Sequence, residues 1–216
     1  MPNLIKKIKS KIRKIFLLNG FQGSRKYWKN RYEKGGTSGP GSYGHLAQFK
    51  AEILNNFVQL HNVRSIIEFG CGDGNQLKLS SYPSYIGFDI SEESIKLCSA
   101  FFSNDISKRF RLMDKYANET AELTLSLDVI FHLTEDEIYH SYMHRLFDAS
   151  TKYVIVYSSN TEQGATKHPA HVRHRLFTLW VEKHKPGWKL VQNIPNKYPF
   201  DGTEKTSFSD FYVFQK

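Results

Sequence analysis

The sequence predicts an α/β fold built on a mostly parallel sheet, on three observations. Val63 to Phe69 is an apolar run too short for a helix and closed by glycine, as a strand buried in a parallel sheet would be. A second run, Tyr85-Ile86-Gly87-Phe88-Asp89, ends 21 residues after Glu68, the length of one strand, helix, strand unit. Two later runs, Leu123 to His132 and Tyr153 to Tyr157, are apolar and β-branched enough for central strands. With 216 residues and 40% hydrophobic content, the chain can fill one core without disulfides.

The chain opens on a strongly basic segment. Residues 1–32 hold ten Lys or Arg and no acid, so the net charge of +9 belongs almost wholly to this end. Within residues 1–20, Leu4, Ile5, Ile8, Ile12, Ile15 and Phe16 recur at three- and four-residue intervals, with lysines and Arg13 between them, which predicts a basic amphipathic helix. Two readings of it stay open: it lies on an anionic membrane surface, or it packs on the domain with its lysines in water. No run approaches the roughly 20 apolar residues of a membrane span, and lysines interrupt any signal-peptide core. A cytoplasmic protein is expected, peripheral at the inner face of the membrane on the first reading.

Residues 21–62 come next. Tyr27-Trp28-Lys29-Asn30-Arg31-Tyr32 precedes a segment, Gly35 to Gly44, with five glycines in ten positions, and then a helical pattern in Leu46, Phe49, Ile53, Phe57 and Leu60. Such a glycine segment is either a linker or a loop that closes over a ligand; Trp28, Tyr32 and Tyr43 around it favour a lid.

Residues 63–216 carry the main domain, which begins with Glu68-Phe69-Gly70-Cys71-Gly72-Asp73-Gly74. Gly70, Gly72 and Gly74 can take positive φ and lack a Cβ, so the backbone can turn sharply and a ligand can lie against it. Asp89, at the end of the next strand, suits hydrogen bonds from ribose hydroxyls. The third glycine comes one residue too early for a dinucleotide fingerprint, and an acid at Glu68 would repel a pyrophosphate. It suits instead a nucleoside with a cationic amino acid end.

These residues resemble the first two motifs of the class I S-adenosylmethionine-dependent methyltransferases: acid-x-Gly-x-Gly-x-Gly, then an acid ending the second strand. The resemblance covers roughly residues 25–216. It implies a doubly wound, mostly parallel, seven-stranded Rossmann-like sheet of order 3-2-1-4-5-7-6, the last strand antiparallel, with helices on both faces. It also implies S-adenosylmethionine as cofactor and S-adenosylhomocysteine as product. Cofactor contacts are then expected from Glu68, Gly70, Cys71, Gly72, Gly74, Asp89 and its neighbour Ile90, with Trp28 and Tyr32 in the covering segment. Arg109 to Asp114 is read as the third strand, placing Met113 and Asp114 at the adenine, and Leu127 approaches from the fourth.

The fourth strand, running to His132, is expected to border the acceptor through Asp128. Thr134 followed by Glu137 has capping-box spacing for the next helix. If the acceptor is a hydroxyl, a base must take its proton; His132 is the first candidate, with His171 and His174 as rivals. After the fifth strand come Asn160 and the cluster His168 to Arg175. A helix starting near Ala170 would put His171, His174 and Arg175 on one face, with Arg173 elsewhere. Arg173 and Arg175, together with Asn160 and Tyr43, are the candidate contacts to a phosphate or carboxylate of the acceptor; the competing reading is a solvated basic face. Trp188 to Val191 and Ser207 to Phe214 are read as the last strands.

No metal is expected: no His-Glu-x-x-His pattern occurs, and Cys71 and Cys98 have no ligand spacing. The fourth strand also lacks the Asn/Asp-Pro-Pro-aromatic sequence of enzymes that methylate nucleic-acid bases, so a small-molecule acceptor is favoured and no specific nucleic acid is expected. The aromatic glycine segment, Ser126 to Leu133 and His171 to Arg175 together look like small bacterial methyltransferases of capsule and surface-polysaccharide synthesis. That likeness implies a sugar-bearing or phosphorylated acceptor. An RNA-binding protein or RNA methyltransferase using the basic tail, or a catalytically silent cofactor-binding partner, are the alternatives.

Overall fold

The structure, a computed structural model, describes residues 21–162 and 169–216. The predicted helix within residues 1–20, and His168, lie outside the described residues. Seven strands form one sheet: β1 (Ile66–Phe69), β2 (Tyr85–Asp89), β3 (Lys108–Leu112), β4 (Ala121–Leu127), β5 (Ser150–Ser158), β6 (Lys189–Ile194) and β7 (Asp210–Gln215). Their order is β3-β2-β1-β4-β5-β7-β6, with β7 antiparallel to both its neighbours and all other pairs parallel.

Helices α1 (Ser24–Glu33), α2 (Gly44–Leu60), α3 (Glu92–Phe101), α4 (Asp136–Asp148) and α5 (Phe177–His184) complete the layers. Alternation along β1 divides the core: Ile66 joins Phe49, Leu54 and Phe57 of α2, while Ile67 joins Met143, Leu146 and Phe147 of α4. A strand buried on both faces explains why β1 reads as a continuous apolar run.

Four local expectations are corrected. Only a short 3₁₀ turn, Leu77–Leu79, lies between β1 and β2, where a full helix was predicted. Ser80, Ser81 and Pro83 break the helical pattern, and α2 supplies the missing partners: Asn55 Nδ2 donates to the Leu79 carbonyl, and Ser81 N donates to Asn55 Oδ1. β4 stops at Leu127, because Asp128 takes a left-handed φ of 58° and a 3₁₀ turn, Ile130–His132, follows.

The expected capping box does not form: α4 begins at Asp136 with Glu135 as N-cap, and Thr134 Oγ1 donates to Glu135. Residues 169–176 form no helix beyond a turn closed by Val172 N on the Pro169 carbonyl. Arg173 N donates to the Phe131 carbonyl, holding this segment against the β4–α4 connection in place of helical bonding.

Candidate functional site

The C-terminal ends of β1, β2 and β4 lie side by side, and a cavity of about 540 Å³ opens over them. Its floor is the glycine turn. Gly70, Gly72 and Gly74 have φ of 87°, 60° and 74°, and a Cβ at Gly70 would stand 2.6 Å from Val129 Cγ2. Side chains are excluded here both by conformation and by space.

Asp89 is buried beside this turn. One carboxylate oxygen accepts from Gly72 N at 3.0 Å and the other from Ser91 N at 2.9 Å. Burial pushes its pKa up to about 6 against the pull of those backbone donors. Glu68 is buried too, accepts from the Tyr85 hydroxyl at 2.7 Å, and is pushed up to about 7 by burial, with Tyr85 and Lys50 opposing.

Of the residues expected around a cofactor, Glu68, Gly70, Cys71, Gly72, Asp89, Ile90, Met113, Leu127, Trp28 and Tyr32 border the cavity. Two do not. Gly74 packs on Cys98, where a Cβ would come within 2.9 Å of the thiol, and Asp114 is exposed on the 3₁₀ turn after β3. Cys71 and Cys98 are free, buried thiols; a hydrogen bond to Cys98 and burial push the Cys71 thiol up. Among the described residues no group of three or more His, Cys, Asp or Glu is placed to hold a metal.

The glycine segment is fastened to the turn it covers. Ser38 N and the Tyr43 hydroxyl each donate to Asp73 Oδ2 at 2.8 Å, Asp73 N donates to Ser38 Oγ, and Asn75 Nδ2 reaches the Ser42 carbonyl. Burial would raise the Asp73 carboxyl, but these donors and Asn75 N hold it below the usual range. Tyr43, an expected acceptor contact, is therefore engaged with Asp73 and does not border the cavity. At the other end of α1, Ser24 donates from N and Oγ to Glu135 at 2.8 and 2.7 Å.

His132 also borders the cavity. Its Nδ1 is 3.0 Å from the His171 carbonyl, which can only accept, so Nδ1 carries the proton and Nε2 the lone pair. Burial lowers its pKa to about 4, opposed by that carbonyl bond. The ring packs edge-on against Trp28 at 4.8 Å, while Tyr27 stacks on His171 at 4.3 Å.

The rival histidines lie elsewhere. His171 does not border the cavity but meets His132 through its carbonyl and through its ring, stacked at 5.5 Å, and His174 is buried with Nδ1 2.5 Å from Ser159 Oγ. Asn160 bonds Thr178 at the start of α5. Arg173 and Arg175 do not face different ways: both reach Asp136, at 2.9 and 3.1 Å, and both donate to the Thr134 carbonyl. Their charges complete the start of α4 and leave the cavity to others.

Asp128 does border it, paired at 2.8 Å with Lys50 and accepting from Ser209 Oγ at 3.0 Å. Lys50, Asp73 and Gln76 were not anticipated. Lys50 carried a readable signal, since it fills the i+4 slot between Leu46 and Leu54 on the buried face of α2.

In sequence, the chain matches no protein-family model and no curated protein. In structure, it is similar to the N-methyltransferase NodS from Bradyrhizobium japonicum WM9 in complex with S-adenosyl-L-homocysteine. That match has a TM-score of 0.62 at 12% identity, over 79% of this chain and 86% of that one. The methyltransferase domain of bacterial CtHen1 gives 0.60 at 18% identity, over 78% and 98%. Magnesium protoporphyrin IX methyltransferase from Synechocystis PCC 6803, with bound SAH, gives 0.60 at 14%, over 78% and 83%. The fold is that of the class I methyltransferases. The strand order and the antiparallel β7 implied by the sequence resemblance are both present in it. Among the described residues no helix is long and apolar enough to cross a membrane.

Proposed function

We propose that the chain is an S-adenosylmethionine-dependent methyltransferase acting on a hydroxyl or amine of a small acceptor. The observation that carries this is the buried Asp89 beside a turn with three left-handed glycines, in a cavity on a class I fold. The donor set fits the cofactor. Glu68, Asp73, Asp89, Asp128 and Glu137 against Arg25, Lys50 and Arg145 make an acid-rich lining, which suits a sulfonium and disfavours a pyrophosphate.

When bound, S-adenosylmethionine supplies an electrophilic methyl group on sulfur. Asp89 would hold the ribose hydroxyls by accepting their hydrogen bonds, and Met113 and Ile90 would supply apolar contact to the base. The Trp28 ring borders the cavity with the Arg31 guanidinium 5.6 Å from its centroid, so this aromatic wall already accommodates positive charge. His132 Nε2 holds the lone pair that accepts the acceptor's proton, and the strap over residues 35–43 excludes water. Alignment is the main contribution of such a site.

For the acceptor we favour a sugar-bearing or phosphorylated molecule of surface-polysaccharide synthesis, on the sequence likeness. Its anionic group would meet Arg25 or Arg145, which border the cavity, since Arg173 and Arg175 are tied to Asp136. Calorimetry with S-adenosylhomocysteine on the full chain tests the core of this reading. Heat of binding is expected, weakened at least tenfold by Asp89→Ala, which removes charge-accepted hydrogen bonds. No heat from wild type would overturn it.

A further inference from the structure

Lys50 is only 1% exposed, yet it borders the cavity. Its Nζ makes one hydrogen bond, to Asp128 Oδ2 at 2.8 Å, and the Tyr157 ring closes another side at 5.2 Å. An ammonium carries three donors, so two are left without a protein acceptor among the described residues. Glu68 lies close enough for their charges to interact, but only Asp128 takes one of its hydrogen bonds, so what fills the cavity can supply acceptors for the rest. Asp128 cannot turn further toward it. Its other oxygen accepts from Ser209, and Gly41 lies so close above that a Cβ there would stand 3.0 Å from Oδ2.

A second group on the same wall is incomplete in the opposite sense. Gln76 is buried and borders the cavity, and its Nε2 donates to the Ala47 carbonyl at 3.0 Å. That bond fixes which end is nitrogen, because a carbonyl only accepts. The other end, Oε1, is a buried acceptor with no partner. Spare donors on Lys50 and a spare acceptor on Gln76, both lining one cavity, match a zwitterion.

We propose that Lys50 and Gln76 read an α-amino acid end, Lys50 Nζ taking the carboxylate and Gln76 Oε1 the ammonium. This rests on the cofactor reading above and makes Lys50 a specificity-determining residue for the intact amino acid tail. The pair is supplied by α2 and by the residue that precedes the 3₁₀ turn after the glycines, outside the motifs that carried the sequence resemblance.

The test is calorimetry on the full chain with three probes: S-adenosylhomocysteine, its decarboxylated analogue, and 5′-methylthioadenosine, which lacks the amino acid tail. Wild type is expected to bind the first at least about tenfold more tightly than the second, as a charge-assisted hydrogen bond would give. Lys50→Met is expected to bind those two within about threefold of each other, with its affinity for 5′-methylthioadenosine unchanged. If Lys50→Met weakens all three equally, Lys50 only supports the wall and the inference falls. If that variant does not fold, the wild-type ratio decides: no preference for the carboxylate overturns the inference while leaving the cofactor reading intact. Failure of wild type to bind any of the three removes both.

Discussion

The glycine-turn end of the cavity comes from residues 68–89, whereas the His132 end is assembled from α1, the β4–α4 connection and residues 169–175. In the first, each residue's task follows from its neighbours in the chain: a glycine turn needs positive φ, and an acid must end the adjacent strand. In the second, the environment of His132 depends on a carbonyl thirty-nine positions away and on an indole from α1. Spacing encodes the first kind of site, and tertiary packing makes the second.

The largest effect should come from disturbing the contiguous end. Gly70→Ala places a Cβ at φ 87° and 2.6 Å from Val129 Cγ2, adding left-handed strain of about 1–2 kcal/mol to overpacking of about 1–3 kcal/mol. Melting should fall by roughly 5–10 °C, with S-adenosylhomocysteine binding lost beyond about thirtyfold. Gly44→Ala is the control, since φ there is 56° but nothing lies within 4 Å. Equal losses in the two variants would show that the turn is merely strained and not fitted to a ligand.

An intermediate effect is expected at the assembled end. His132→Ala should lower kcat by about 10²-fold with less than threefold change in S-adenosylhomocysteine affinity. Burial holds this imidazole near 4, so the acid limb of kcat should fall near pH 4 and not near 6.5. The same depression fixes a stability sign. Between about pH 6.5 and 4 the unfolded chain binds a proton on His132 that the folded chain does not, so wild type loses stability relative to His132→Ala as pH falls through that window. A limb near 6.5 that survives His132→Ala would assign the base to another group.

This contrast also explains how much was readable in the sequence. Strand order followed from the resemblance, and strand positions from apolar runs, because strands buried on both faces leave an unbroken signal. The missing helix between β1 and β2 was unreadable from chain length alone: Asn55 and Gln76 supply and use backbone partners across α2, which no local pattern reports. Tyr43 and Asp73 were both visible as residues, yet their hydrogen bond joins segments thirty positions apart. Asp114 was misplaced outward by a 3₁₀ turn that ends β3 two residues early.

Arg173 offers the smallest effect and the sharpest check on the assembled end. From sequence it belonged to a basic face awaiting an anion; in the fold it donates to the Thr134 carbonyl and pairs with Asp136, with both charged side chains about half exposed. Exposed pairs of this kind contribute little, so Arg173→Ala should move melting by no more than about 2 °C. Arg175 is only 14% exposed, holds the Leu133 and Thr134 carbonyls, and lies 4.3 Å from the Tyr139 ring, so Arg175→Ala should cost more. Neither variant should change KM for a methyl acceptor beyond about twofold. A tenfold rise in KM for Arg173→Ala, with melting unchanged, would mean that this guanidinium leaves Asp136 to meet the acceptor. The two ends of the cavity would then differ in when they form, one standing ready and the other completed by its ligand.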